Sequence, residues 1–154
     1  TPEILKKYNG ICRIITLDKN GGVGHASNVG IRSSRGKYIV RVDSDDFVNE
    51  KFLEILSLYL KYNKTTYAVA CDYYVVDENE EITARKSPSD TPIACGVMYR
   101  REKIIEIGLY KEVRVDEDID MFSRFIQKYN IFRIALPLYR YTQRSDGINH
   151  SRRG

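Results

Sequence analysis

The stretch that most constrains this chain is an apolar strand that ends abruptly in acid. Tyr38-Ile39-Val40-Arg41-Val42 is followed without a spacer by Asp43-Ser44-Asp45-Asp46. Beyond the acids, residues 47–62 carry Phe52, Leu56, Tyr59 and Leu60 at the spacing of one helical face. A β-branched run, a short polar turn and an amphipathic helix make up the repeating unit of α/β folds. Open α/β sheets bind ligands at the carboxyl ends of their strands, and that is where these carboxylates stand.

The flanking sequence extends the pattern. Residues 11–17 form a β-branched run that predicts a buried strand, broken by the turn Asp18-Lys19-Asn20-Gly21-Gly22. Residues 23–34 then read as a helix lined by Val23, Ala26 and Ile31, ending near Gly36. Residues 67–76 predict a long strand, turned at Asp77-Glu78-Asn79-Glu80 and returning as a hairpin at 82–85. After a proline-bearing loop, 93–99 is extended and 100–107 is a short helix closed by Gly108. Residues 118–129 predict a helix with Ile119, Phe122, Phe125 and Ile126 on its buried face, followed by strands at 131–135 and 138–142 around Pro137. The expectation is one α/β domain over 1–154, with a mostly parallel sheet flanked by helices and an antiparallel addition.

Composition narrows the function classes. With 154 residues, 42% of them hydrophobic, the chain can bury one core. No run approaches the ~20 apolar residues that cross a bilayer as a helix. The formal charge of +4 comes from scattered Lys and Arg, so no concentrated basic face for nucleic acid is expected. Cys12, Cys71 and Cys95 lack the spacing of zinc or thioredoxin-like motifs and read as small core residues. Their odd number favours a reducing, cytoplasmic setting, which includes the cytoplasmic face of a membrane.

Two acidic constellations carry chemistry. Asp43 and Asp45 repel one another unless a cation relieves them, and a hard divalent ion prefers oxygen ligands. Such an ion could bridge to a diphosphate and neutralise charge building on a leaving group. Asp46 reads instead as a cap for the following helix. The second cluster is Asp116-Glu117-Asp118-Ile119-Asp120. Alone it is an ordinary acidic helix start. Beside a diphosphate clamp it becomes a source of a general base, since a hydroxyl is a poor nucleophile until a carboxylate takes its proton. Asp116 and Asp120 stand one turn apart, and their like charge should raise the local carboxylate pKa values.

These segments, in this order, resemble the family 2 glycosyltransferases of the GT-A fold. The resemblance rests on Asn20-Gly21-Gly22-Val23-Gly24-His25-Ala26-Ser27-Asn28-Val29-Gly30-Ile31, on Gly36-Lys37-Tyr38-Ile39 leading to Val42-Asp43-Ser44-Asp45-Asp46, on Gly96-Val97-Met98-Tyr99-Arg100-Arg101 with Ile107-Gly108-Leu109-Tyr110, and on Glu117-Asp118-Ile119-Asp120-Met121-Phe122-Ser123-Arg124. It implies a GT-A-like, Rossmann-like sheet and transfer from a nucleotide-sugar donor to a glycan, lipid-linked or other hydroxyl acceptor, with inversion. Asp43, Asn28 and Arg144 would contact the donor, and Asp45 would bind Mn²⁺ or Mg²⁺. Asp118 would be the base, supported by Glu117 and Asp120, with Cys95, Gly96 and Met98 on the acceptor side.

Two departures accompany the resemblance. A strand-helix-strand segment of about fifty residues that opens the family domain is not recognisable before residue 11. The expectation is therefore a longer parent chain, or association through an unpaired sheet edge. Arg144 stands where the family often has a histidine, with His150 further on; His25 and His150 read as non-ligands. The alternatives are a non-catalytic binding domain of the same family and a haloacid-dehalogenase-like phosphatase. The phosphatase motif wants Thr or Val where Phe47 stands.

Overall fold

The computed structural model describes residues 2–89, 91, 93–111 and 117–143. Its elements are α1 (Pro2–Lys6), α2 (Gly22–Ser33), β1 (Tyr38–Val40), β2 (Phe47–Val48), α3 (Phe52–Tyr62), β3 (Ala68–Val76), β4 (Ile82–Lys86), β5 (Val97–Arg100), α4 (Arg101–Glu106), α5 (Glu117–Lys128) and β6 (Ile131–Thr142). The strands form a single sheet in the order β1-β5-β3-β6-β2, with β4 pairing to β3.

Strand alternation sorts the core into two layers. Val69, Cys71, Tyr73 and Val75 of β3 and Met98 of β5 pack on one face against Phe52, Leu56 and Leu60 of α3. Ala68 and Ala70 of β3, with Val97 and Tyr99 of β5, pack on the other face against Ile31, Ile104, Met121 and Phe125 of the remaining helices. Arg100 ties the layers together. Its guanidinium is buried and donates to the carbonyls of Leu60, Asn63 and Thr66, closing the carboxyl end of α3 with a cation.

The α/β architecture is as expected, but the sheet is less parallel. β3 and β6 pair in parallel, while β1·β5, β2·β6, β3·β4 and β3·β5 are antiparallel. The reason is connection length. The hairpin after β3 reverses the chain, so that β4 and then β5 run against β3, and the longer path through α4 and α5 turns it back to bring β6 in parallel with β3. Pro137 falls at a register shift between β3 and β6, where a residue without N–H costs least.

Four local expectations fail. Residues 11–17 join no ladder, and Ile11 is 79% exposed. Their β-branched composition suits an extended backbone, yet a strand also needs a neighbour's N–H and C=O groups, and none of the described strands lies alongside. Cys12 is accordingly exposed, unlike Cys71 and Cys95. Residues 47–48 are not the start of α3. They pair with Tyr139 and Arg140 of β6, and the helix begins only at Phe52. In α5 the buried stripe is Glu117, Met121 and Phe125, while Ile119 and Ile126 are exposed. Similarly, α2 buries Gly24, Asn28 and Ile31, and Val23 and Ala26 face outward.

Asp72 of β3 is buried between Arg85 of β4 and Arg133 of β6. Arg133 Nε and Nη2 donate to its two oxygens at 2.7 and 2.9 Å, and Arg85 Nη2 donates at 2.9 Å. Hydrogen bonds from Arg133 hold its pKa below the ordinary carboxylate value, against the cost of burial and with help from Arg85. A depressed acid stabilises the fold above its unfolded-state pKa and loses that contribution as pH falls through the folded-state value. Asp72→Asn is therefore expected to cost about 1–3 kcal/mol in urea unfolding at pH 7. The gap to the parent should narrow below about pH 4. A gap that stays constant from pH 7 to pH 3 would contradict this.

Candidate active site

The acidic loop leaves β1 and turns on itself, with the Asp46 N–H bonded to the Asp43 carbonyl at 3.2 Å. Strand β6 pins it. The buried Tyr139 donates its hydroxyl to Asp46 Oδ2 at 2.6 Å and accepts the Asp43 N–H at 3.2 Å. The Thr142 N–H donates to Asp46 Oδ1 at 2.8 Å, and the Thr142 hydroxyl donates to the Asp45 carbonyl. Asp46 thus ties the loop to the sheet instead of capping α3, whose N-cap position is Lys51. Burial raises the Asp46 pKa, and the charges of Asp43 and Asp45 add to it, against the bonds from Thr142 and Tyr139. Burial also pushes the Tyr139 phenol well above its ordinary range, so it remains a donor.

Arg41 joins this loop to the second acidic segment. Its Nε and Nη2 grip Asp43 Oδ1 and Oδ2 at 2.7 and 2.9 Å, a bidentate pair. Its Nη1 lies 3.7 Å from Oε1 of Glu117, the first residue of α5. Burial works against the charge on Arg41, but Asp43 more than compensates, and the pKa stands above its ordinary value. Glu117 is buried because its charge meets this cation. That pairing sets the rotation of α5 and explains why the stripe read from its apolar residues was out of phase.

Asp118 follows, half-buried, at the same helix start, its Oδ1 accepting the Ile119 N–H at 2.9 Å. Its charge is felt at two buried phenols, Tyr99 and Tyr110. Burial is the main cause of their raised pKa values, and it takes Tyr110 to about 12. Asp120 does not crowd the site. It is paired with Lys111 at 2.8 Å and Arg124 at 2.7 Å, and these cations lower its pKa where like-charge repulsion would have raised it.

The glycine-rich turn supplies the next wall. A Cβ on Gly24 would stand 3.0 Å from the Lys111 carbonyl oxygen and 3.8 Å from Glu117 Cβ, so a residue without a side chain lets α2 approach α5. Asn28 is buried and exchanges two hydrogen bonds with the Tyr110 backbone, at 2.8 and 2.9 Å. Its amide is spent on positioning Tyr110, a role the sequence reading had not given it. Between α2 and β1 lies a cleft of about 470 Å³, bordered by Ile31, Val40, Arg41, Tyr99 and Tyr110.

Cys95 and Gly96 lie where β5 begins, beside the acidic loop. Gly96 has φ +75°, and a Cβ there would approach Cys71 Sγ to 3.6 Å. Met98 is further along β5, with its side chain in the core beside α3. Arg144, Asp116 and His150 lie outside the described residues.

The donor set can be weighed against a divalent ion. Among the described residues, Asp43, Asp46 and Cys95 bring one ligand atom each within 4.8 Å of one another. The oxygens suit a hard cation, but burial pushes the Cys95 thiol up to about 12 and keeps it protonated. Both Asp43 oxygens are held by Arg41, and both Asp46 oxygens by Tyr139 and Thr142. The carboxylate oxygens suit a hard divalent ion better than the protonated sulfur does, and an ion binding there would compete with Arg41, Tyr139 and Thr142 for them. Asp45, outside this trio, is half-buried and uses its backbone carbonyl on Thr142.

The architecture is that of the GT-A glycosyltransferases, in part. It superposes with TM-score 0.81 on S. aureus TarS 1-349, solved in complex with UDP-GlcNAc, at 18% identity over 97% of this chain and 48% of that one. The mannosyltransferase PcManGT from Pyrobaculum calidifontis, solved with GDP-Man and Mn²⁺, gives 0.73 at 15% identity over 98% and 46%. Residues 1–132 match the profile of Glycosyl transferase family 2, and the chain belongs to that family. Glycosyltransferase GlyG of Streptococcus pneumoniae serotype 4 is 27% identical, over 88% of this chain and 54% of its own length. The chain thus spans about half the length of these relatives. Family membership removes the phosphatase alternative. No helix among the described residues is long and apolar enough to cross a membrane.

Tyr139 is the residue whose loss should loosen the acidic loop without emptying it of charge. Tyr139→Phe keeps the ring in the core and removes one donor and one acceptor. It is expected to cost about 1.5–3 kcal/mol, the range for a hydrogen bond to a charged group, and to speed hydrogen exchange at the Asp43 amide. Unchanged stability together with unchanged exchange would show that the hydroxyl does not hold the loop.

Proposed function

We propose that this protein transfers a sugar from a nucleotide-sugar donor to an acceptor hydroxyl by a single, inverting displacement assisted by Mn²⁺ or Mg²⁺. The observation that carries this reading is the convergence of two acidic segments on Arg41, since sugar transfer requires a diphosphate clamp and a base in one cleft. The donors solved with TarS and PcManGT, and the Mn²⁺ with the latter, support the donor class and the ion.

In this reading the acidic loop faces the donor diphosphate, with Asp45 as the metal ligand and Asp43 beside it. A divalent ion there would stabilise the negative charge of the departing nucleoside diphosphate. Arg144 is proposed as a further donor contact. Asp118, at the start of a helix anchored by Met121 and Phe125, takes the proton of the acceptor hydroxyl. The hydroxyl oxygen then bonds to the anomeric carbon as the bond to the diphosphate oxygen breaks. Glu117, held by Arg41, fixes the start of the helix. The backbone around Cys95 and Gly96 borders the acceptor side.

Two variants test the division of labour in a transfer assay with UDP- and GDP-linked sugars. Asp118→Asn is expected to lower transfer by about 10²-fold or more while leaving donor affinity nearly unchanged. Asp45→Asn is expected to weaken donor binding in Mn²⁺ to the level the parent shows in EDTA. Near-normal turnover in the first variant removes Asp118 from the chemistry. Equal donor affinity for the parent in Mn²⁺ and in EDTA removes the metal.

A further inference from the structure

We propose that Arg41 is a positioning residue, a fixed internal cation that aligns the donor-side carboxylate Asp43 with Glu117 on the acceptor side. This rests on the functional reading above and deepens it. The guanidinium leaves the end of β1 just before the acidic loop and is used in two directions. Its fork takes both oxygens of Asp43, which stops that carboxylate from rotating. Its third nitrogen, Nη1, is buried, makes no hydrogen bond in the structure, and faces Glu117 Oε1 at 3.7 Å.

Exposure makes the arrangement consequential. The side chains of Arg41, Asp43 and Glu117 are 20%, 34% and 11% exposed, so their charges are only partly screened. Without the cation, the loop and the start of α5 would carry facing negative charges. The remaining donor capacity of Nη1 gives the bridge room to tighten, either by a small approach of Glu117 or by donating to a substrate oxygen. A lysine cannot substitute, because one ammonium cannot grip Asp43 with two parallel bonds and reach Glu117 as well. A purely structural ion pair would affect stability alone. A positioning residue divides its effect between donor binding and turnover.

The test uses the intact protein with Arg41→Lys, Arg41→Gln, Glu117→Gln and the Arg41→Gln/Glu117→Gln double variant. Donor KM, kcat and the urea midpoint are measured for each. Arg41→Gln is expected to raise donor KM by about 10-fold and lower kcat by about 30-fold or more. Arg41→Lys should restore donor KM to within about 3-fold of the parent, through its contact with Asp43, while kcat stays at least about 10-fold down. In the double variant, Glu117→Gln should add less than about 2-fold to the kcat loss. Recovery of both constants by Arg41→Lys, or fully multiplicative losses in the double variant, would overturn the proposal. If the parent transfers no sugar, the glycosyltransferase reading fails first. The Arg41–Glu117 cycle is then read from the urea midpoints, where non-additive shifts support the bridge and additive shifts overturn it.

Discussion

The site is organised around one half-buried positive charge placed between two negative segments. Asp43 stands at the end of β1 and Glu117 at the start of α5, and Arg41 touches both. These carboxylates are only partly screened by water, and a guanidinium that meets one with its fork and the other with its third nitrogen relieves both at once. The sheet supplies the geometry. β1 runs to its end beside the beginning of β5, and β6 passes close enough for Tyr139 and Thr142 to hold the loop from below. The loop is therefore gripped from two sides. Arg41 fixes the carboxylate of Asp43, while Tyr139 and Thr142 fix Asp46.

Glycine and asparagine on α2 complete the frame. Gly24 lets the helix approach Lys111 and Glu117, and Asn28 clamps the Tyr110 backbone. Tyr110 and Tyr99 in turn form an apolar, protonated wall beside Asp118. The glycine-rich turn thus acts on the site through packing, at one remove from the acids it helps to place.

Much of this was legible in sequence because it is local. The strand-acid-helix unit at 38–62, the hairpin at Asp77 and the acidic start of α5 are encoded by neighbours a few residues apart, and the structure contains each of them. The family resemblance was legible for the same reason, since its segments are short and ordered. What escaped depends on distant partners. Phe47 and Val48 become a strand only because β6 arrives beside them. Asp46 is drawn from a helix cap to Tyr139 across 93 positions of chain. Glu117 turns inward because of Arg41, and Asp120 turns away because of Lys111 and Arg124. Arg41 itself was visible as a charged residue within an apolar strand, just ahead of the acids. That anomaly was the one available signal for it.

The most direct measurement is paramagnetic broadening by Mn²⁺ of backbone amide signals in the isotope-labelled protein. If the acidic loop and the start of α5 share one site, the amides of Asp45, Asp46, Glu117 and Asp118 should broaden together at low Mn²⁺. Those of β4 should stay sharp, and Asp45→Asn should abolish the effect. Broadening confined to the loop, with Glu117 and Asp118 unaffected, would contradict a shared site.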